Sequence, residues 1–157
     1  MSFSNNVKKE ICEITTNSRH CNLAELMSYL IFNSKIDYEN SKILFYSDKK
    51  LVSKRIALIL EFILKRKVDI NENKRTSSDR IKIYEILISN TEEVGDILKS
   101  TGLYENNKIS VLTLKKDCCK RAFLRGCFFS VGSVSDPNKA YHLEFVFSDK
   151  DISKDIS

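Results

Sequence analysis

The sequence predicts an α+β domain assembled from two related halves. The first observation is a repeated helix pattern: residues 122–133, AFLRGCFFSVGS, have a weaker counterpart in residues 25–35, ELMSYLIFNSK. The second is the order of elements over residues 23–102, where hydrophobic spacing alternates between helix and strand periods as helix, two strands, helix, two strands, helix. The third is composition, since 42% hydrophobic and 30% charged residues suit a globular core.

In both copies of the repeated pattern a small residue lies on an apolar helix face, two positions after a leucine. A shift of 98 residues aligns Leu26 with Leu124 and Ser28 with Gly126. Small side chains let two helix backbones approach closely. The two motif helices are therefore predicted to cross at these four residues, and we expect Gly126→Leu to unfold the domain by overpacking the crossing.

The chain before the first repeat is predicted to form a helix and a loop. Ser4 can cap a helix over residues 5–14, in which apolar residues recur at helical spacing. Residues 15–21 lack that spacing and are predicted to be a loop. The first motif helix follows over residues 23–33, and its apolar residues nearly surround it, which predicts a central, buried helix.

The rest of the first repeat is predicted from alternation, helical spacing and capping residues. The predicted elements are strands at 35–37 and 42–46, a helix from Ser47 or Asp48 to Arg66, strands at 68–70 and 80–89, and a helix capped by Thr91 and ended by Gly102. The polar segment 71–79, NENKRTSSD, is predicted to be a mobile loop between two strands.

The second half is predicted to be shorter. Asp117 can cap the second motif helix, which ends at Gly132, and a hairpin with strands at 133–134 and 140–147 turns at residues 135–138. A further helix is predicted to begin at Asp149. The predicted organisation is an N-terminal helix and loop at 1–22, a first repeat at 23–102, a connector at 103–116 and a partial second repeat at 117–157.

The motif helices resemble those of LAGLIDADG homing endonucleases. Residues 119–146, CKRAFLRGCFFSVGSVSDPNKAYHLEFV, together with SFSNNVKKEI and CNLAELMSYLIFNSKI, are similar to the WhiA family of bacterial sporulation and cell-division regulators. The resemblance covers nearly the whole chain. It implies a LAGLIDADG homing-endonuclease-like fold, an αββαββα repeat followed by an incomplete second repeat. That family also has a C-terminal helix-turn-helix domain, which is predicted to be absent here.

The resemblance also implies where catalysis would be sought. In active LAGLIDADG enzymes an acidic residue ends each motif helix, and the two acids bind a divalent metal above the DNA. The corresponding positions here are Asn33 and Val131. Because Mg²⁺ prefers anionic oxygen ligands, an amide and a valine are poor replacements. The chain is predicted not to be an enzyme and to need no metal or cofactor.

Positive charge is concentrated in two blocks of this chain, whose net charge is +5. Residues 49–82 carry eleven basic against four acidic side chains, and residues 108–125 carry six against one. Such blocks favour a polyanion-binding surface, although lysines decorating solvated helix faces would look the same. In residues 80–84 alternation places Arg80, Lys82 and Tyr84 on one side. The full set of DNA-binding candidates is Lys35, Lys42, Lys74, Arg75, Arg80, Lys82, Tyr84 and Lys139.

Two classes of function remain open from the sequence. As the resemblance implies, the chain is a transcriptional regulator that binds double-stranded DNA and is involved in sporulation, cell division and chromosome segregation. The alternative is a scaffold domain for other regulatory proteins, with DNA binding dependent on the missing helix-turn-helix. With neither a membrane-length apolar run nor a signal-peptide core, the chain is predicted to be cytoplasmic and nucleoid-associated.

The five cysteines lack the spacing of a disulfide framework or a zinc motif. They are predicted to be free thiols used as small apolar residues. One alternative is a zinc site drawn from Cys12, His20, Cys21 and the Cys118–Cys119 pair. Another is a reactive thiol in that pair, because neighbouring lysines and a helix N-terminus can lower a thiol pKa.

Overall fold

The computed structural model describes residues 3–15, 17–74, 82–103, 114–136, 138 and 142–146. The helices and strands in this part are α1 (Phe3–Ile11), α2 (Arg19–Phe32), β1 (Ser34–Asp37), β2 (Lys42–Ser47), α3 (Lys50–Leu64), β3 (Asn71–Lys74), β4 (Lys82–Ile88), α4 (Thr91–Thr101), α5 (Asp117–Val131), β5 (Gly132–Val134) and β6 (Leu143–Phe145). From α2 to α4 the order is αββαββα, which confirms the predicted α+β fold class. The helix predicted from Asp149 lies outside the described residues, as does most of the predicted connector.

Two predicted caps are corrected near α1 and α4. Ser4 lies inside α1, and its hydroxyl accepts a hydrogen bond from the Val134 backbone N–H at 3.3 Å, which ties α1 to β5. Thr91 is the first residue of α4. The cap is Asn90, whose side-chain oxygen accepts hydrogen bonds from the Glu92 and Glu93 backbone N–H groups. Gly102 ends α4 with a left-handed φ of 77°, as predicted, because glycine adopts that conformation without strain.

The starts of the remaining helices also shift. α2 begins at Arg19, so the predicted loop before it is shorter. The residue that caps α3 is Lys49, without a side-chain hydrogen bond, and the Ser47 hydroxyl instead accepts from the Lys49 backbone N–H. Asp117 is the first residue of α5, where its carboxylate is favoured by the positive end of the helix dipole.

β1 to β4 form one antiparallel sheet in the order β1-β2-β4-β3. The predicted strand at 68–70 is wrong, because β3 lies at Asn71–Lys74 within the segment predicted to be a loop. Its four residues pair with β4, with Glu72 opposite Tyr84. An edge strand can leave polar side chains in water, so this sequence has no apolar alternation to reveal it.

The core lies between the sheet and the helices that cover one of its faces. Ile43 and Phe45 of β2 and Ile86 and Ile88 of β4 point to that side and are almost fully buried. The motif helix α2 packs against α3, α4 and α5, so it is the central helix that the sequence predicts. No helix in the described part of the chain is both long and apolar enough to cross a membrane.

The two motif helices lead into their hairpins in the same way. After α2, the Tyr46 backbone N–H donates to the Asn33 carbonyl at 2.9 Å, and after α5 the Val146 N–H donates to the Val131 carbonyl at 3.0 Å. In each hairpin the first strand residue pairs with a phenylalanine, Phe45 in one and Phe145 in the other. This shared pairing makes Asn33 and Val131 equivalent positions in the two halves.

Candidate nucleic-acid interface

The two motif helices approach closely at Gly126. A Cβ atom on Gly126 would lie 1.8 Å from the Ser28 hydroxyl oxygen and 3.0 Å from the Glu25 carbonyl oxygen. The structure therefore brings Ser28 and Gly126 together, and only a residue without a side chain fits opposite this serine. The Ser28 hydroxyl is itself held by the Glu25 carbonyl.

The two leucines predicted at the crossing lie elsewhere. Residues two apart in a helix point about 160° away from each other, so Leu26 cannot share a side with Ser28, nor Leu124 with Gly126. Leu26 is fully buried because the core of the first half covers that side of α2. Leu124 is 43% exposed, so its predicted place in the crossing is wrong.

The C-terminal ends of the motif helices are joined by Asn33. Its side-chain amide donates to the Tyr46 carbonyl at 3.3 Å, and its side-chain oxygen accepts from the Ser130 hydroxyl of α5. Val131, at the equivalent position, has no ligand atom. These residues do not fit the divalent cation of a LAGLIDADG nuclease, because the amide is already engaged and no carboxylate faces it from Val131.

Lys35 and Lys42 lie on the sheet face that the helices leave open. The β1–β2 register places Lys35 opposite Leu44 and pairs Lys42 with Asp37, on the side opposite the buried Ile43 and Phe45. The Lys35 amine lies 5.8 Å from the centre of the Tyr46 ring, close enough for a cation–π contact. Both lysines are exposed and available to a ligand on this face.

Lys82 and Tyr84 lie on the opposite, helix-covered side. Tyr84 pairs with the buried Ser47, and it alternates in phase with the buried Ile86. The Lys82 amine lies 2.9 Å from the Glu72 carboxylate. These two DNA-binding candidates therefore lie on a different face of the sheet from Lys35 and Lys42. Apolar residues lie on both faces of β4. The alternation in its first half therefore predicted the wrong face for Lys82 and Tyr84.

The other predicted contacts are only partly described by the structure. Lys74 belongs to β3 and not to a loop. Arg75, Arg80 and Lys139 lie outside the described residues.

Acidic side chains offset the positive charge of the open face. Asp37 of β1 is paired with Lys42, and Glu85 of β4 is paired with Tyr46. Between them, the exposed tip of Leu87 adds apolar surface. Within the described strands the open face thus combines two lysines, two acids and an aromatic ring, which predicts weak and salt-sensitive attraction for a polyanion.

Another concentration of positive charge lies where α1 meets the start of α3. The Lys8 amine is 5.3 Å from the centre of the Phe128 ring, and Lys8 is only 5% exposed. Burial, followed by the charge of neighbouring Lys49, lowers the pKa of Lys8 to about 8. Lys8 is therefore close to its titration point near neutral pH.

Comparison with known proteins gives the architecture a family. The family model of the WhiA LAGLIDADG-like domain matches residues 120–157. A probable cell division protein WhiA from Clostridium botulinum is 32% identical over 168 residues, covering 100% of this chain and 53% of the relative. The crystal structure of the N-terminal LAGLIDADG domain of DUF199/WhiA superimposes with a TM-score of 0.69 at 22% identity, covering 99% of this chain and 71% of that one. The chain belongs to the WhiA family.

A second solved structure shares the fold of this chain. I-DmoI, solved in complex with DNA and Mn, has a TM-score of 0.57 and 16% identity, covering 89% of this chain and 76% of that one. The shared fold confirms the LAGLIDADG-like architecture. The chain spans about half the length of the curated WhiA relatives that it matches.

Among the described residues, a buried polar cluster centres on Glu25, a residue that sequence analysis did not select. Arg55 of α3 donates two hydrogen bonds to its carboxylate at 2.7 and 2.9 Å, the Tyr29 hydroxyl donates at 2.8 Å, and Arg125 of α5 donates at 3.1 Å. Glu25 and Arg55 are 1% and 2% exposed. Burial, followed by the Glu25 charge, holds the Tyr29 pKa well above its usual value. In the sequence, this cluster could have been found from its charged residues, which occupy helix positions that are otherwise apolar.

At the opposite ends of the motif helices, four ligand-type side chains meet. The Nδ1 atom of His20 and the sulfur atoms of Cys21, Cys118 and Cys119 all lie within 4.8 Å of one another. Cys12 is not part of this group. Burial, followed by the neighbouring thiols, raises the pKa of Cys119 to about 11, which argues against Cys119 as an activated nucleophile. The sequence offered these four residues, together with Cys12, only as an alternative zinc site, because two helices contribute two adjacent residues each and no metal-ligand spacing results.

Proposed function

We propose that this chain is a non-catalytic DNA-binding domain of a WhiA-type transcriptional regulator. Its role lies in cell division, with sporulation and chromosome segregation as the associated processes. It acts in the cytoplasm on double-stranded DNA of the nucleoid. The support is the name of its relatives, probable cell division protein WhiA, together with a fold shared with a nuclease solved on DNA.

The observation that carries this proposal is the absence of carboxylates at Asn33 and Val131, which follow α2 and end α5. The motif helices and their hairpins keep the LAGLIDADG arrangement, whereas Asn33 is bound to Ser130 and Tyr46 and Val131 has no ligand atom. Without a pair of carboxylates, this position cannot hold a hard divalent cation against the DNA backbone. The retained scaffold and the lost ligands together support binding without cleavage.

The open sheet face is the proposed contact surface. Lys35 and Lys42 can each neutralise a phosphate, and the Tyr46 ring beneath the Lys35 amine keeps that side chain over the sheet. Because Asp37 and Glu85 share the face, binding is expected to be weak at moderate salt. Such contacts hold the backbone of the duplex and carry no sequence information.

The test is a fluorescence-anisotropy titration of the chain with duplex DNA at several salt concentrations, with Mg²⁺ present and the DNA checked for cuts. We expect uncut DNA and an affinity that falls steeply between about 50 and 200 mM salt. Replacing Lys35 and Lys42 together with glutamine should lower the slope of log K against log salt by about 2, since each lost phosphate contact removes about 0.9.

The matched control replaces Lys54 of α3 and Lys67, which follows α3, with glutamine; both lysines are exposed and neither belongs to a strand of the open face. This variant loses the same total charge but leaves the open face intact, so its slope should stay near that of the unmodified chain. An equal drop in both double variants would contradict the proposed face. Mg²⁺-dependent cutting would contradict the non-catalytic assignment.

A protein-interaction scaffold is the second candidate, favoured by one feature of the same face. Leu87 is 50% exposed and is paired across the strands with Leu44, which gives the open face an apolar centre. Partner proteins bind such surfaces more readily than phosphates do. A folded chain that fails to bind DNA at low salt would favour this candidate over the first.

A further inference from the structure

Four side chains that bind soft metals meet where α2 and α5 begin. The His20 Nδ1 atom lies 3.1 Å from the Cys119 sulfur, 3.5 Å from the Cys21 sulfur and 3.9 Å from the Cys118 sulfur. All four ligand atoms lie within 4.8 Å of one another. This is a compact set of one nitrogen and three sulfur atoms.

The internal repeat explains why the four residues meet. The shift of 98 residues that aligns Ser28 with Gly126 also aligns His20 with Cys118 and Cys21 with Cys119. Each motif helix therefore contributes one adjacent pair from its first turn. Contacts between α2 and α5 hold the two pairs together. They run from the histidine–thiol contact at the start of the helices to the Asn33–Ser130 hydrogen bond at their ends.

We propose that His20, Cys21, Cys118 and Cys119 form a zinc-binding site that joins the two halves of the domain. Zn²⁺ takes thiolate sulfur at about 2.3 Å and histidine nitrogen at about 2.0–2.1 Å in a tetrahedron, which places ligand atoms roughly 3.4–3.8 Å apart. The three nitrogen–sulfur separations given above bracket that range. Small side-chain rotations would complete the geometry without moving either helix.

The chemistry of the ligands selects the class of metal. Three thiolates and an imidazole match the structural Cys₃His type of zinc site, whereas Mg²⁺ and Ca²⁺ require oxygen ligands. With four protein ligands, no position is left for water or substrate, so the site is structural.

The burial of the group fits a closed site with an entry path. Cys21 and Cys119 are 8% and 2% exposed, whereas His20 and Cys118 lie at the surface. The ion can therefore enter from one side and be anchored by the buried pair. Asn33 lies twelve residues beyond Cys21, about 18 Å along the helix, so this site is separate from the former nuclease metal position.

The test is metal binding by the whole chain, kept reduced with a phosphine and first freed of metal with a chelator. We expect one equivalent of Co²⁺ to give the strong visible absorption of tetrahedral cobalt thiolate, and one equivalent of Zn²⁺ to displace it. The melting temperature should rise as Zn²⁺ is added, because the folded state alone assembles the ligands.

The decisive variants replace the two exposed ligands, as Cys118→Ser and His20→Ala, since neither change disturbs the core. Each should weaken Zn²⁺ binding by at least about 100-fold and abolish the zinc-dependent rise in melting temperature. Cys12→Ser is the control, because it removes a thiol outside the group and should leave zinc binding unchanged.

Three results would overturn the proposal. One is a reduced, folded chain that binds no zinc in a near-equimolar ratio. Another is a Cys118→Ser variant that binds zinc as tightly as the unmodified chain. The third is cobalt absorption without the thiolate charge-transfer bands, which would place the ion on other residues. Circular dichroism of each variant shows whether it is folded before its binding is compared.

Discussion

Two bidentate arginine–glutamate pairs in the described part of the chain differ mainly in their exposure to water. Arg55–Glu25 is almost fully buried, whereas in Arg66–Glu93, with the same 2.7 Å contact, the side chains are 43% and 20% exposed. Arg55 also donates to the backbone carbonyls of Cys12 and Ile14, which fixes the segment after α1. The buried pair therefore connects three parts of the fold, and the exposed pair only two.

Arg55→Met tests the buried pair. It leaves the Glu25 charge inside the protein with only Arg125 and Tyr29 as partners, and we expect a loss of about 3–5 kcal/mol in the free energy of unfolding. Arg66→Met, the matched control, should cost less than about 1 kcal/mol because water screens that pair. Urea unfolding measures both, and equal losses would contradict the distinction.

Lys8 predicts a specific pH dependence of stability. Its pKa is about 8 in the folded chain against an ordinary value of 10.5, because of burial and then of Lys49. Between these two values the unfolded chain holds more protons, so stability should rise with pH across that window. Below pH 8 the charged amine is disfavoured in the folded chain.

Lys8→Met should therefore be more stable than the unmodified chain at pH 7, with a difference that shrinks as the pH approaches about 9.5. Urea unfolding at several pH values provides the measurement. A stability difference that does not change with pH would show that Lys8 contributes through packing on Phe128 alone.

At the scale of elements, the crossing of α2 and α5 makes the sharpest prediction. Gly126→Ala forces a methyl group onto Ser28 and should lower the free energy of unfolding by about 1–3 kcal/mol. Adding Ser28→Gly removes the nearest clash and should restore part of the loss. Contacting residues of this kind couple by roughly 0.5–3 kcal/mol in a double-mutant cycle.

Gly95→Ala in α4 is the matched control for this cycle. A Cβ atom at Gly95 would meet no other atom within 4 Å, so alanine should stabilise the helix by about 0.5–1 kcal/mol. Similar losses at Gly95 and Gly126 in thermal or urea unfolding would mean that close approach is not what requires glycine at the crossing.

The sequence predicted an element well where its apolar pattern fits only one arrangement of buried side chains. The motif helices and β2 were predicted well because their apolar residues leave one consistent burial pattern. β4, KIYEILI, is apolar at both parities, so only its pairing with β2 shows that Ile86 and Ile88, and not Ile83, face the core. β3 has no apolar residue, and its ladder with β4 defines it.

The candidate sites were less predictable than the fold, again for a physical reason. Asn33 and Val131 could be assigned because the repeat fixes their positions. The zinc-ligand group depends on where two helices begin relative to each other, and the Glu25 cluster on which charged side chains the core encloses. Both are properties of tertiary packing, which spacing along one chain does not encode.

On the scale of the whole molecule, charge is divided unevenly between the two faces of the sheet. The open face carries Glu85 beside Tyr46 and Lys35, whereas the excess of basic residues in the 49–82 block falls largely on and after α3. The net charge of +5 therefore overstates the attraction that the proposed DNA-binding face exerts.

Glu85→Gln should accordingly strengthen DNA binding, by removing a negative charge from the proposed contact surface. We expect a several-fold higher affinity at low salt, an advantage that shrinks as salt screens the face. Anisotropy titration measures the effect, and Glu61→Gln on α3 is the control, with no expected change. A weaker or unaltered affinity in Glu85→Gln would exclude the open face as the DNA contact.

The pairing of Ser28 with Gly126 has a consequence for how such a fold can be encoded. A symmetric dimer of one helix–hairpin unit would present the same residue twice at its axis. Two serines would collide there, and two glycines would leave a gap. A tandem duplication within one polypeptide frees the copies to diverge, one keeping a side chain and the other giving it space. Asymmetry at the axis is thus accessible to the fused protein and closed to its homodimeric counterpart.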